Sequence, residues 1–263
     1  MARTRSAVPV AFDDQGHGEP ALLCLPGWCV DRTAFRDLVP ACSSRRRSLA
    51  MDWRGHGESE PARGDFGESA LLEDALAVVH ESGIHQVVPV ALAHSGWVAL
   101  ELRRRLGERV PAIVLVDWLI LEPPPQFVGA LGALQDASTW QATRDQLFSM
   151  WLQGVDCPKV IRLVREVMGS YGFEMWARAG REIGTAYRRE GSPLKALAGL
   201  RPTPRVMHLY AQPADPGFLQ AQETFAVANP WFSVQKLNAK SHFPMLEVPE
   251  DMAKVIESFV SQK

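Results

Sequence analysis

The sequence predicts an α/β protein in which a mostly parallel sheet is covered by helices and carries an all-helical insertion. Three observations predict this. Apolar runs of strand length alternate with segments whose apolar residues recur at helical spacing, the pattern of βαβ units. The alternation stops after Trp118: Pro123, Pro124 and Pro125 interrupt the chain, and residues 127–190 read as helices rich in Trp, Met and Arg with no strand among them. Strand-like segments then return near the end. With 263 residues, 46% of them hydrophobic and 22% charged, the chain is long enough to bury one large core.

Taken in order, Val8–Phe12 and Ala21–Leu25 read as strands, Thr33–Val39 as a short helix and Ser48–Met51 as a third strand. Ser69–Ser82 has helical spacing, Val87–Leu92 is a β-rich run, Trp97–Leu106 is helical and Ala112–Val116 is a buried strand. Arg205–Tyr210 and Phe232–Leu237 read as the last strands and Pro249–Val260 as a terminal helix. Residues 1–122 and 191–263 are therefore expected to form the core, with 123–190 inserted as a helical cap, or lid, over one sheet.

Composition narrows the function classes. A formal net charge of −2 gives no electrostatic reason to expect nucleic acid or an anionic membrane as partner. The basic run Arg45–Arg46–Arg47 reads as a solvated helix end. No window reaches the roughly 18 uninterrupted apolar residues of a membrane span, so a cytoplasmic protein is expected. The four cysteines form no CxxC pair, the seven histidines no HxH or HExxH, and "GHGEP" at Gly16 lacks the third glycine of a dinucleotide fingerprint. No metal and no cofactor are expected, and nothing in the sequence speaks to oligomeric state.

Three loops follow strands and would meet at the carboxyl end of a parallel sheet, where such folds bind ligands. They are Pro26-Gly27-Trp28-Cys29, the turn "AHSGW" and Asp117-Trp118, with Ser241-His242-Phe243-Pro244 after the last strand. Elbow, acid, then histidine is the order of the α/β-hydrolase fold. Its GxSxG elbow needs small residues around the nucleophile because the strand-to-helix turn is so tight. If Ser95 were that nucleophile, Trp97 would occupy the second glycine's place. If Ala93 holds the tip, His94, Ser95 and Gly96 follow it and Trp97 is already on the helix. The second register fits better; it puts a methyl where a hydroxyl would attack and removes acyl-enzyme chemistry.

The segments "LPGWCVD", "MDWRGHG", "HSGWV", "VDWLILEPPP", "EMWARAGREI", "GSPLKAL" and "SHFPMLEVP" together resemble the cofactor-independent 2,4-dioxygenases of 3-hydroxy-4(1H)-quinolones, a branch of the α/β-hydrolase fold. The similarity spans nearly the whole chain. In that family the elbow reads Ser-His-Gly; alignment on Trp97 sets Ala93 at the family serine and His94 at the family histidine, so this chain departs there.

The resemblance implies a small N-heteroaromatic substrate, 2-alkyl or unsubstituted, cleaved with O2 into carbon monoxide and an N-acylanthranilate. His242 would be the base that takes the 3-hydroxyl proton and Asp117 its orienting acceptor. Backbone N–H groups of Trp28 and His94 would form an oxyanion hole, beside Ala93 and Ser95. Trp28, Trp151 and Trp118 would wall the flat ring. Two other readings stay open: a serine hydrolase with Ser95 as nucleophile, His242 as base and Asp117 or Asp215 as acid, and a non-catalytic binder on a hydrolase scaffold.

Overall fold

The computed structural model describes residues 1–262. Eight strands form one sheet: β1 (Ala2–Arg3), β2 (Ala11–Gln15), β3 (Ala21–Leu25), β4 (Ser48–Met51), β5 (Val87–Leu92), β6 (Ala112–Val116), β7 (Arg205–Tyr210) and β8 (Phe232–Lys236). Their spatial order is β1-β2-β4-β3-β5-β6-β7-β8. β1 and β2 are antiparallel additions at one edge and the other six run parallel. Every residue of β3, β5 and β6 is buried. Successive side chains of a strand point to opposite faces, so unbroken burial means that both faces of the central sheet are covered.

The helices are α1 (Leu38–Ser43), α2 (Glu68–Glu81), α3 (Gly96–Leu106), α4 (Pro125–Ala133), α5 (Trp140–Trp151), α6 (Pro158–Arg162), α7 (Phe173–Glu190), α8 (Pro193–Ala198), α9 (Pro216–Ala228), α10 (Pro244–Glu247) and α11 (Pro249–Ser261). α1 packs on α11, α2 on α3, and α4 on α7. Proline opens α4, α6, α8, α9, α10 and α11, where its missing N–H would have had no intrahelical acceptor. Between β6 and β7 the described residues contain helices and no strand, as the sequence predicts.

Three expectations shift. The first long strand begins at Ala11, not Val8: Pro9 cannot donate to a ladder, the Val10 N–H goes to Thr4 Oγ1 at 3.0 Å, and pairing with β4 runs on to Gln15. Asp13 and Asp14 are tolerated there because Arg32 and Arg47 pair with them. The expected helix Thr33–Val39 is a 3-10 turn, Arg32–Phe35, capped by the Asp31 side chain on Thr33 N at 2.9 Å, followed by α1. The arginine run is not simply solvated. Arg46 is buried and grips Glu257 of α11 with two nitrogens at 2.8 and 3.0 Å, tying the start of β4 to the C-terminal helix.

Candidate active site

Among the described residues, three that are not glycine have a positive φ: Cys29 at 59°, Ala93 at 50° and Asp117 at 47°. The left-handed region costs an L-residue about 1–2 kcal/mol. All three lie in loops that follow parallel strands and meet around one cavity, so the strain is concentrated where groups are being aimed.

Ala93 follows β5 directly and is the tip of the elbow. Gly96 opens α3 under the ring of Trp118; a Cβ on it would lie 2.3 Å from two ring carbons, so no larger residue fits without moving the indole. In this turn Ala93, directly after β5, has the left-handed backbone, whereas Ser95 is right-handed helical with φ −65°. Ser95 is turned inward, 4% exposed, and its hydroxyl points at the carbonyls of Leu92 (2.8 Å) and Leu25 (2.9 Å). Both bonds of the hydroxyl run to core carbonyls and none to His242, an arrangement unlike that of an activated nucleophile. Ser95 instead stitches β3 to β5.

His242 and Asp117 meet, with Nδ1 and Oδ1 2.8 Å apart. The other carboxylate oxygen of Asp117 accepts N–H bonds from Ala211 at 2.7 Å and Gln212 at 3.1 Å. The carboxylate is thereby held on both oxygens, Nδ1 of His242 carries the hydrogen it gives to Oδ1, and in the neutral ring the lone pair is on Nε2. Asp215, the alternative acid, caps α9 by accepting from Gly217 N at 2.9 Å and has no bond to His242. The ring of His242 lies parallel to that of Trp151, 5.4 Å away and tilted by 10°.

The loop after β3 is held from below. Trp53 Nε1 donates to Pro26 O at 2.7 Å. Cys29 N donates to Nε2 of His56 at 3.1 Å, and His56 Nδ1 donates to Arg54 O at 3.0 Å, which fixes its tautomer because a carbonyl only accepts. Burial pushes the His56 imidazole down to about 4, so it stays a neutral acceptor. With Cys29 N tied down, the N–H of Trp28 has no partner among the described residues, and His94 lies in the 3-10 turn just before α3, where N–H groups lack intrahelical acceptors. His56 was not singled out as a site residue, although "GHG" after a strand carried the signal.

An inner cavity is lined by the loop residues Trp28, Ala93, His94 and His242, and above them by apolar residues of α4, α5 and α7. An outer cavity shares Ala93, His94, Phe127, Trp151 and His242 with it and adds Asp117 and Trp118. Trp28 stacks on Phe66, centroids 5.8 Å apart, and Trp151 covers His242. Trp118 borders only the outer cavity; it is 1% exposed and packs edge-on against Trp97 at 4.8 Å. Of the three expected ring walls, Trp28 and Trp151 therefore border the inner cavity and Trp118 does not.

His94 faces Phe127 with ring centroids 5.6 Å apart and Tyr187 edge-on at 5.9 Å. Burial, reinforced by His242, pushes its imidazole down to about 3, and its Nδ1 has no partner. Trp176 likewise carries a buried indole N–H without a partner and lines the inner cavity. Sequence reading missed Trp176, along with Leu131, Leu134 and Ile183, because they sit on helices whose inward faces are apolar like any core face. Among the described residues no group of three His, Cys, Asp or Glu side chains is arranged to hold a metal ion, and no helix is long and apolar enough to cross a membrane.

Residues 22–255 match the model of the Alpha/beta hydrolase family. The chain is 38% identical over 253 residues to the 2-heptyl-3-hydroxy-4(1H)-quinolone dioxygenase of Mycobacteroides abscessus, covering 95% of this chain and 94% of that one. It belongs to the 3-hydroxy-4-quinolone dioxygenase branch of that family. A second relative, the 1H-3-hydroxy-4-oxoquinoline 2,4-dioxygenase of Pseudomonas putida, is 35% identical over 92% of this chain and 91% of its own. The structure of AqdC in complex with its product, from work on ring cleavage of the Pseudomonas quinolone signal, superposes with a TM-score of 0.94 at 35% identity over the full length of both chains. The fold expected from the sequence is thus the fold of the family, and the helical segment between β6 and β7 is part of the match.

Proposed function

We propose that the protein is a ring-cleaving 2,4-dioxygenase of 2-alkyl-3-hydroxy-4(1H)-quinolones that works without a cofactor. The observation that carries the reading is the His242–Asp117 pair at 2.8 Å, opening on an apolar cavity whose elbow ends in the methyl of Ala93. A base with no hydroxyl to activate is suited to an acidic proton on the ligand itself. The family relatives, whose names specify 2-heptyl-3-hydroxy-4-quinolone, support the same substrate class.

In this reading His242 Nε2 takes the 3-hydroxyl proton and Asp117 stabilises the resulting imidazolium, a role worth roughly 10²- to 10⁴-fold for a positioned general base. Negative charge spreads onto the 4-oxo oxygen, which the N–H groups of Trp28 and His94 are set to receive. The electron-rich anion reduces O2 directly, oxygen adds at C2, and the peroxide closes onto C4. Carbon 3 leaves as carbon monoxide with its oxygen, and both atoms of O2 remain in the N-acylanthranilate, so the atoms balance. Neutral His94 adds no positive charge that would compete for the anion. The apolar surface of Leu131, Leu134, Leu147, Met168, Ala179 and Ile183 suits a saturated 2-substituent.

The helical segment 123–190 acts here as a cap that excludes water from the anion, on the core formed by residues 1–122 and 191–263. A cytoplasmic location belongs to the same reading. Incubation with 2-heptyl-3-hydroxy-4(1H)-quinolone, with no added metal or flavin, is expected to consume O2 and release carbon monoxide in equal amounts. Under nitrogen the bound quinolone is expected to show the ultraviolet spectrum of its anion. Absence of both, together with a burst of nitrophenol from a nitrophenyl ester, would return the protein to the hydrolases.

A further inference from the structure

The acid of this site stands after β6, and the end of β7 is occupied with holding it. Asp117 N donates to Leu209 O at 2.8 Å, and Asp117 Oδ2 accepts from the N–H groups of Ala211 and Gln212. The next residue, Trp118, donates its backbone N–H to Nε2 of His208 at 3.2 Å. Of these four supports from β7 and its continuation, three are backbone and one is a side chain. A left-handed Asp117 has no preference of its own for that conformation, so the supports decide where its carboxylate points.

The direction of the His208 bond is fixed by a second buried residue. Gln222, on α9, donates its amide N–H to Phe218 O at 3.0 Å. A carbonyl only accepts, so the other end of the amide, Oε1, is what lies 2.6 Å from Nδ1 of His208. Nδ1 therefore carries the hydrogen, and Nε2 presents its lone pair to Trp118 N–H. Both His208 and Gln222 are 0% exposed, and burial keeps the imidazole neutral, pushed down to about 4. The ring is also clamped in plane against Tyr210, centroids 5.3 Å apart and 11° from parallel.

We propose that His208 is a positioning residue for the Asp117–His242 base, acting through the Trp118 backbone, with Gln222 locking the tautomer that makes this possible. The proposal rests on the dioxygenase reading for its catalytic consequence, but not for its geometry. Loss of the acceptor leaves a buried N–H unpaired beside Asp117, which lets the loop relax and loosens the carboxylate's hold on His242 Nδ1. A merely structural histidine would cost stability without altering how readily the bound ligand ionises.

The test uses the whole protein, 3-hydroxy-2-methyl-4(1H)-quinolone as ligand under nitrogen, and three variants. His208→Phe keeps the stacking ring and removes the acceptor, His208→Gln returns an acceptor near the same point, and Gln222→Met unlocks the tautomer at similar volume. The pH at which half of the bound ligand is anion is expected to rise by about one unit in His208→Phe, with kcat roughly tenfold lower and KM within about twofold. His208→Gln is expected to recover most of both, and Gln222→Met to fall between. Nitrogen-15 spectra of the wild-type histidines are expected to report His208 as the Nδ1–H tautomer. A folded His208→Phe with an unchanged ionisation midpoint overturns the proposal, and so does an Nε2–H tautomer. If His208→Phe does not fold, the tautomer and Gln222→Met decide. If the wild-type protein itself leaves the ligand un-ionised, the dioxygenase reading fails, while the tautomer still reports on the His208 geometry.

Discussion

The strand ends beneath the cavity and the helices above it hold their side chains by different means. Below, each functional group is fixed several times over: Asp117 by His242, Ala211 and Gln212, the Trp28 loop by Trp53 and His56. Above, Leu131, Leu134, Trp176 and Ile183 are held by packing alone, and the indole N–H of Trp176 is without a partner. Hydrogen bonds have direction and packing does not, so the floor specifies chemistry and the walls specify size. Substitutions in the floor should therefore lower turnover for every substrate, and substitutions in the walls should rank substrates against one another.

The largest effect is expected from His242→Ala, which removes the proposed base: kcat should fall about 10³-fold or more, and the anaerobic spectrum should revert to the neutral ligand. Asp117→Asn should come next. The two N–H donors of Ala211 and Gln212 require the amide oxygen on their side, which turns the amide NH2 toward His242. Nδ1 must then accept, the proton moves to Nε2, and the base is blocked; a loss of roughly 10²- to 10⁴-fold in kcat follows, as for other orienting carboxylates. A variant that lost less than threefold would break the claim that the floor acts by orientation.

Acid stability sharpens the same contrast, because three histidines with lowered imidazole values lie in or under the floor. His56, His94 and His208 titrate near 4, 3 and 4 in the folded protein, below the ordinary value near 6.5 that they regain on unfolding. The unfolded chain therefore binds more protons as pH falls below about 6.5, and stability drops by up to about 1.4 kcal/mol per pH unit per histidine until the folded values are reached. Thermal melts between pH 7 and 4.5 should show this decline. The histidines contribute no such slope above pH 7.

In the walls, Ile183→Trp should fill part of the inner cavity. The expected outcome is a change in rank: kcat/KM for the 2-heptyl substrate falls about ten- to a hundredfold relative to the 2-methyl one, in line with the modest discrimination of hydrophobic pockets. Parallel losses for both would mean that the wall residues are instead coupled to the base.

How much of this could be read beforehand follows the same division. His242, Asp117, Trp28 and His94 stand beside glycine, proline or a strand end, and such residues carry local signals that survive without coordinates. Strand limits at Ser48–Met51, Val87–Leu92 and Ala112–Val116 were legible because buried parallel strands are unbroken apolar runs. The acid was not separable from Asp215 by spacing, since both follow parallel strands; the carboxylate's partners decide it. His208 and Gln222 were invisible because their meaning lies in the directions of hydrogen bonds, one between the two residues, 14 apart in sequence, and one from Trp118, 90 residues from His208. The wall residues look like core at every position.

Ser95→Ala is the smallest effect expected and the one that tests the elbow's register. The hydroxyl gives its single hydrogen to Leu92 O or Leu25 O, so its removal should cost about 1 kcal/mol, the usual worth of a buried hydrogen bond, and lower the melting temperature by roughly 2–4 °C. Because Ser95 faces the sheet and Ala93 holds the tip, kcat and the ionisation of the bound ligand should stay within about twofold of wild type, far from the loss of several decades that removal of an attacking serine brings. A collapse of turnover in a variant that melts normally would mean that the turn presents Ser95 after all, and that the methyl of Ala93 is not what the substrate meets.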